Sequence, residues 1–315
     1  MSFPFGLYDY LPFTICHINT YMCVVIAKYF EGTGWVGVKN RDRNYVPDLS
    51  FRKKKNKNTE TLYFWDDITQ YCEGMNDSGI CILSASLMVL DDEKEITVRT
   101  KTPSKDGIKI KKALTLTDIK AVCMSLIKQK LPGCTLIFNR EECYLLEGAW
   151  APGGYEDKDY KYKIEKIDQD TTVARTNHGV WLKWAGYQYG ADDSESMSAI
   201  SSRSRLLIAQ HVVDSAETPA QLIDWLTKKY VDNWQLNAMR LSDEKKMMRT
   251  TAQLMLVPKD LTMFVRPIQS NIKFNFWKLN GAKDNKMWVE LLTNRVLRTG
   301  EDDPSIPTNL GHITD

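Results

Sequence analysis

The stretch YMCVVIAKYFEGTGWVGVKNRDRNY, residues 21–45, decides how the rest of the chain is read. An apolar run carries Cys23 near its head, Gly32 and Gly34 allow a turn, and the chain returns through Val36 and Val38 to Lys39, Asn40, Arg41 and Asp42. β-Branched and aromatic residues on either side of a glycine turn predict a β-hairpin. The return places Lys39 and Asp42, sixteen and nineteen positions after Cys23, beside the start of the first strand. A cation and a carboxylate therefore come within reach of a thiol. Taken alone, a cysteine in such a strand is a small core hydrophobe.

Downstream to Ser86 the pattern remains β, through LYFW (62–65) and GICILSASLMVL (79–90). Short continuous apolar runs suit strands covered on both faces. The basic run RKKKNKNTE, Arg52 to Glu60, reads as a solvated loop between strands. A helix is predicted over TLTDIKAVCMSLIKQKL (115–131), capped at Thr117 and stopped by Pro132 and Gly133. A hairpin then turns near Asn139 to Glu142, and a lysine-rich polar piece leads to TTVARTNHGVWLKW (171–184). Further helices are expected from about Ser198 to Val213 and from Pro219 to Tyr230, the latter capped by Thr218. The chain ends in strands, with a turn at Pro258 to Asp260. Clustered strands with segregated helices indicate α+β, two helical layers over a pair of sheets.

Charge and cysteine content narrow the function. The 42 lysines and arginines against 40 acidic residues leave +2, without the concentrated basic excess of a nucleic-acid binder. Seven cysteines without a CxxC pair, and four scattered histidines, give no metal-site spacing. The expectation is a cytoplasmic protein with no cofactor, no secretory signal and no membrane span.

Three more segments bear on Cys23: GMNDSG (74–79), a turn feeding a buried strand; TNHG (176–179) at a strand end; and SSRSRLL (201–207) opening a helix. Together with Cys23 and VKNRD (38–42), and in this order, they resemble the cysteine-type N-terminal-nucleophile (Ntn) hydrolases. These include choloylglycine hydrolases, penicillin V acylases, acid ceramidase-like amidases and isopenicillin acyltransferases. The resemblance runs from Cys23 to about Trp277 and implies a four-layer αββα sandwich of two mostly antiparallel sheets. It further implies that residues 1–22 are a propeptide cut at Met22-Cys23, that 23–315 form one domain, and that the freed α-amine of Cys23 is the base for its own thiol. Asp42 would orient that amine, Asn177 would donate to the oxyanion, Arg205 would balance charge, and Lys39 would stand where the family has arginine. Val24 replaces a common Thr or Ser, and Ser86 replaces an asparagine of the choloylglycine hydrolases. Trp65, Trp181, Tyr187 and Ser86 are the candidates for a substrate pocket, with Tyr71 and Trp184 nearby.

The implied activity is hydrolysis of a linear amide through a cysteine thioester, on a small-molecule substrate with an apolar or aromatic acyl part. Acyl transfer to an amine and a catalytically silent binding scaffold are the alternatives, Cys16 is the rival nucleophile, and homo-oligomerisation is left open.

Overall fold

A computed structural model describes residues 21–45, 47, 49–56, 58–87, 106–151, 156–187, 197–242, 248–268 and 275–278. The rival Cys16 and residues 1–20 of the expected propeptide lie outside them.

The opening hairpin forms as the glycines predict. β1 (Tyr21–Phe30) and β2 (Gly34–Arg43) pair antiparallel along their full length, Tyr21 opposite Arg43 and Phe30 opposite Gly34. Gly32 and Gly34 take φ of +74° and +87°, a backbone region open to glycine. With β10 (Val173–Arg175), β11 (Arg249–Val257), β12 (Thr262–Pro267) and β13 (Asn275–Lys278) they make a six-stranded sheet in the order β10-β1-β2-β11-β12-β13. A second, seven-stranded sheet runs in chain order: β3 (Leu49–Lys55), β4 (Glu60–Asp66), β5 (Cys72–Asn76), β6 (Cys81–Ala85), β7 (Gly133–Phe138), β8 (Cys143–Trp150) and β9 (Tyr160–Ile167). The pairings in both sheets are antiparallel.

Period-two alternation sorts the side chains into layers. Cys23, Val25, Trp35, Phe64, Leu83, Leu136, Phe138 and Leu254 meet between the sheets. Val24, Ile26, Val36 and Val38 face outward onto α3 (Met197–Ser215) and α4 (Pro219–Trp225). On the far side Tyr63, Trp65, Ile82 and Ile137 face α1 (Asp106–Ala113) and α2 (Ile119–Lys128). The result is four layers, helix-sheet-sheet-helix, as expected. Among the described residues no helix is long and apolar enough to cross a membrane.

Local corrections follow from edges and caps. The basic run is a strand at its start: Arg52 to Lys55 belong to β3, where lysines on a sheet edge stay solvated while the backbone pairs with β4. The lysine-rich piece contains the other edge, β9, whose side chains are mostly exposed. The cap of α2 is Asp118, one residue after Thr117, its carboxylate accepting from the Ala121 N–H at 2.7 Å. Thr218 caps α4 reciprocally with Gln221 as expected, but the helix ends at Trp225 rather than Tyr230.

Candidate active site

Cys23 and Asp42 are neighbours in the hairpin but lie on opposite faces of it. In the register Cys23 stands opposite Arg41 and Met22 opposite Asp42. Residues paired directly across an antiparallel ladder share a face. Cys23, Lys39, Arg41 and Arg43 thus point between the sheets, whereas Met22, Asn40 and Asp42 point toward the α3 layer. The site is therefore built from both faces of one sheet, joined at the backbone of Cys23.

Asn177 makes that joint. It follows β10, which pairs with β1 through Val25 and Arg175. The Cys23 N–H donates to Asn177 Oδ1 at 2.7 Å. Arg205, from the third turn of α3, donates Nη2 to the same oxygen at 3.3 Å and Nη1 to Asp42 Oδ2 at 3.2 Å. Asn177 Nδ2 donates to the Ser86 carbonyl at 2.7 Å, so Ser86 enters through its backbone. Its own N–H donates to Ser202 Oγ at 3.1 Å. Arg205 and Asp42 are separated by 163 positions, and the group meets because β1 lies between β2 and β10 under α3.

A β-bulge completes the Asp42 side. Between Thr250 and Ala252 the register of β11 against β2 shifts by one residue. Such a shift reverses which side chains face which layer. Ala252 and Leu254 face the inter-sheet core, yet Thr250 faces Asp42 and donates to Oδ1 at 2.8 Å. Arg240 Nε lies 4.0 Å from Asp42 Oδ2. Burial pushes Asp42 up from the usual carboxylate value, while Arg240, Arg205 and the Thr250 hydroxyl pull against it.

The thiol side holds five buried charges. Lys39 is bonded to Glu73 of the opposite sheet and to the Ser84 carbonyl at 2.6 Å. Arg41 donates to Asp66 Oδ2 at 3.0 Å, which also accepts from Tyr45 Oη at 2.6 Å. Arg43 donates Nη1 to the Asp42 carbonyl at 2.6 Å, and that nitrogen lies 3.6 Å from Cys23 Sγ. Tyr71 stacks under both cations, its ring 4.9 Å from Lys39 Nζ and 5.8 Å from the Arg43 guanidinium. Burial pushes Glu73 up, but Lys39 and Arg41 outweigh it and hold it below the usual carboxylate value.

The structure thus brings Cys23, Asp42, Asn177 and Arg205 together. Lys39 shares the thiol's face but is engaged with Glu73, and the cation on the thiol is Arg43. Nothing in the motif order pointed to Arg43. Strand parity could have, since residues 39, 41 and 43 fall on one face. Thr250 and Arg240 were also missed, because no local pattern announces a partner two hundred positions away.

Of the pocket candidates, Tyr187 packs on Met22 and Ala199 beside this cluster. Trp181 and Trp184 are partly exposed and pack on the inter-sheet core, Trp181 with its N–H donated to the buried Glu147 at 3.0 Å. Trp65 does not join them: it faces the α1–α2 layer, on the other side of the second sheet. The aromatic lining expected of Trp65 is core packing. His178 is bonded through Nδ1 to Ser202 Oγ at 2.9 Å and is buried. Burial and the charges of Arg203, Arg205 and Arg175 lower its pKa to about 4. An open depression lined by Ser78, Arg140 and Lys259 sits at the hairpin tip, where Lys259 bonds the Gly32 carbonyl. It is the full length of β1 away from Cys23, roughly 25 Å at ordinary strand rise.

No family model and no curated protein matches this chain. Solved structures similar to it include two variants of the conjugated bile acid hydrolase from Clostridium perfringens. One is 11% identical with a TM-score of 0.49, covering 83% of this chain and 93% of that one. The other is 13% identical with a TM-score of 0.47, covering 84% and 94%. The penicillin V acylase from Agrobacterium tumefaciens is 13% identical with a TM-score of 0.44, covering 81% and 84%.

Proposed function

We propose that this chain is an amide-cleaving hydrolase of the N-terminal-nucleophile type, with Cys23 as nucleophile. The observation that carries the reading is the Cys23 nitrogen held at 2.7 Å by Asn177, within a buried network that runs through Arg205 to Asp42. The β1–β10 ladder stops at Val25, so the buried Cys23 N–H takes its partner from a side chain, and that side chain is itself tied to a guanidinium and a carboxylate. Opening the Met22–Cys23 bond converts this N–H into an α-amine. Its ordinary pKa of about 7.7–8.0 lies just under a thiol's ~8.5, so the amine takes the thiol proton at little cost near neutral pH.

The thiolate attacks the substrate carbonyl, and the tetrahedral oxyanion collapses to a thioester as the amine leaving group accepts the proton. Water, deprotonated by the Cys23 α-amine, then attacks the thioester, releasing the acid and restoring the thiol. In the first cycle the electrophile is the Met22 carbonyl carbon and the leaving group is the Cys23 nitrogen itself, which takes the thiol proton as the C–N bond breaks; water then hydrolyses the thioester and residues 1–22 leave. Arg43 steadies the thiolate, a cation beside sulfur being the usual way to lower its proton affinity. Asn177 positions the nitrogen through Oδ1; its Nδ2 reaches an oxyanion only by leaving the Ser86 carbonyl. The substrate is a small amide with an apolar stem on its acyl side, where the Met22 side chain lies against Ala199 and the Tyr187 ring. The reading requires no cofactor.

Intact-mass measurement of the purified full chain beside Cys23→Ala tests it. Loss of residues 1–22 from the wild type alone is expected. A folded wild type that keeps Met22 sinks the proposal.

A further inference from the structure

Met22 occupies a niche whose polar groups do not suit it. Its side chain packs against Tyr187 and Ala199, with Met248 alongside, on the Asp42 face of the sheet. Arg240, 3% exposed, aims Nη1 at the Met22 thioether at 2.9 Å. A thioether is a weak acceptor, and a guanidinium N–H is among the strongest donors in proteins. In the same niche the Tyr187 hydroxyl is buried and, among the described residues, has no hydrogen-bond partner. Burial raises that phenol to about 12, against the opposing fields of Arg240 and Arg205. Arg240 Nε donates to the Gln235 carbonyl at 3.1 Å and Nη2 to Ser201 Oγ, which leaves Nη1 on the thioether. Native proteins satisfy nearly all buried donors, so a hydroxyl without an acceptor beside that Nη1 marks a place for a missing one.

The charge count points the same way. Among the described residues, Arg205 and Arg240 face one carboxylate, that of Asp42. Release of the Cys23 α-amine adds a further positive charge to that face when it is protonated. A buried excess of cations calls for an anion.

The length of that anion can be read from the chain. Met22 supplies the acyl group of the first cycle, and its Sδ is four bonds from the carbonyl carbon that Cys23 attacks. An acyl chain with a carboxylate carbon at that point is a five-carbon dicarboxylic acid joined as a monoamide, that is, a glutaryl amide. We infer that the niche vacated by Met22 is an acyl subsite for such a chain, its apolar stem against Ala199 and the Tyr187 ring and its carboxylate on Arg240 and the Tyr187 hydroxyl. This rests on the proposed function, since it takes Met22 as the first acyl group.

The test uses the full chain after self-processing, checked by intact mass, with glutaryl-p-nitroanilide and pentanoyl-p-nitroanilide. The two acyl chains are equal in length and differ in the carboxylate. The ratio of their kcat/KM values should favour glutaryl by about tenfold or more, chiefly through KM, as expected for a charged hydrogen bond made with bound substrate. Arg240→Met should bring that ratio down by about tenfold and Tyr187→Phe by a few-fold. The second substitution removes one oxygen and keeps the ring, so it reports even if Arg240→Met does not fold. For a processed chain that turns over neither anilide, binding is the readout: glutarate, and not pentanoate, should raise Tm. A wild-type ratio near one, a ratio that both variants leave unchanged, or equal effects of glutarate and pentanoate on Tm overturns the subsite while leaving the hydrolase reading intact. A chain that retains Met22 overturns both.

Discussion

At the scale of single residues, His178 shows how the cradle of Cys23 depends on protonation. Its Nδ1 is hydrogen-bonded to Ser202 Oγ, and that oxygen accepts from the Asn177 N–H, so the neutral imidazole supports the residue that holds the Cys23 nitrogen. The folded-state pKa of about 4 lies below the ordinary 6.5. Folding therefore favours the neutral form, and the contribution is full above pH 6.5 and lost as pH falls toward 4. A shift of this size on a partly screened group corresponds to roughly 2 kcal/mol. Urea unfolding at pH 7 and pH 4.5 should show that part of the acid destabilisation disappearing in His178→Asn. Parallel pH profiles for the two proteins would show that other groups govern the acid response.

At the scale of elements, the bulge in β11 is what brings Thr250 round to Asp42. Thr250→Val keeps the shape and removes the hydroxyl that donates to Asp42 Oδ1 and accepts from the Arg240 N–H at 2.8 Å. A hydrogen bond to a buried charge supports about 2 kcal/mol of stability, so the midpoint of denaturation should fall while the m-value stays constant. A loss below about 0.5 kcal/mol would mean that Asp42 is held by its arginines alone. Elements of this kind mark where sequence reading stopped. The β1–β2 hairpin was legible because glycines and β-branched residues agree over its whole length. The strands β3 and β9 were obscured because edge positions let lysines occupy strand sites, and α1, at eight residues, is too short to display a helical period. The bulge has no signature in TTAQLML, since the shift depends on the partner strand. The four residues Cys23, Asp42, Asn177 and Arg205 could be found from motif order. Arg43 required the parity of a strand already known to be a strand, and Trp65 was misplaced for want of that same parity.

At the scale of the whole molecule, buried ion pairs tie the two sheets near the site, Arg41 with Asp66 and Lys39 with Glu73. Lys39 of β2 meets Glu73 of β5 with both side chains fully buried, and Lys39 also reaches the Ser84 carbonyl in β6. A buried pair is weak support for stability when judged against apolar packing, because both ions were taken out of water. Breaking it from one side is another matter, since the remaining charge is stranded. Glu73→Gln alone should cost about 3–5 kcal/mol, and Lys39→Met alone a similar amount. The double variant should recover most of that loss, as neither charge is left behind, giving a favourable coupling in a double-mutant cycle. Activity separates the two roles open to Lys39. If its task is to join the sheets, the double variant regains turnover along with stability, because Arg43 still lies on the Cys23 thiol. If Lys39 instead acts on the reacting groups, as its position in the family motif implied, the double variant folds well and remains without turnover. Measuring both quantities on the same three variants decides whether Lys39 is a structural clamp or acts on the reacting groups.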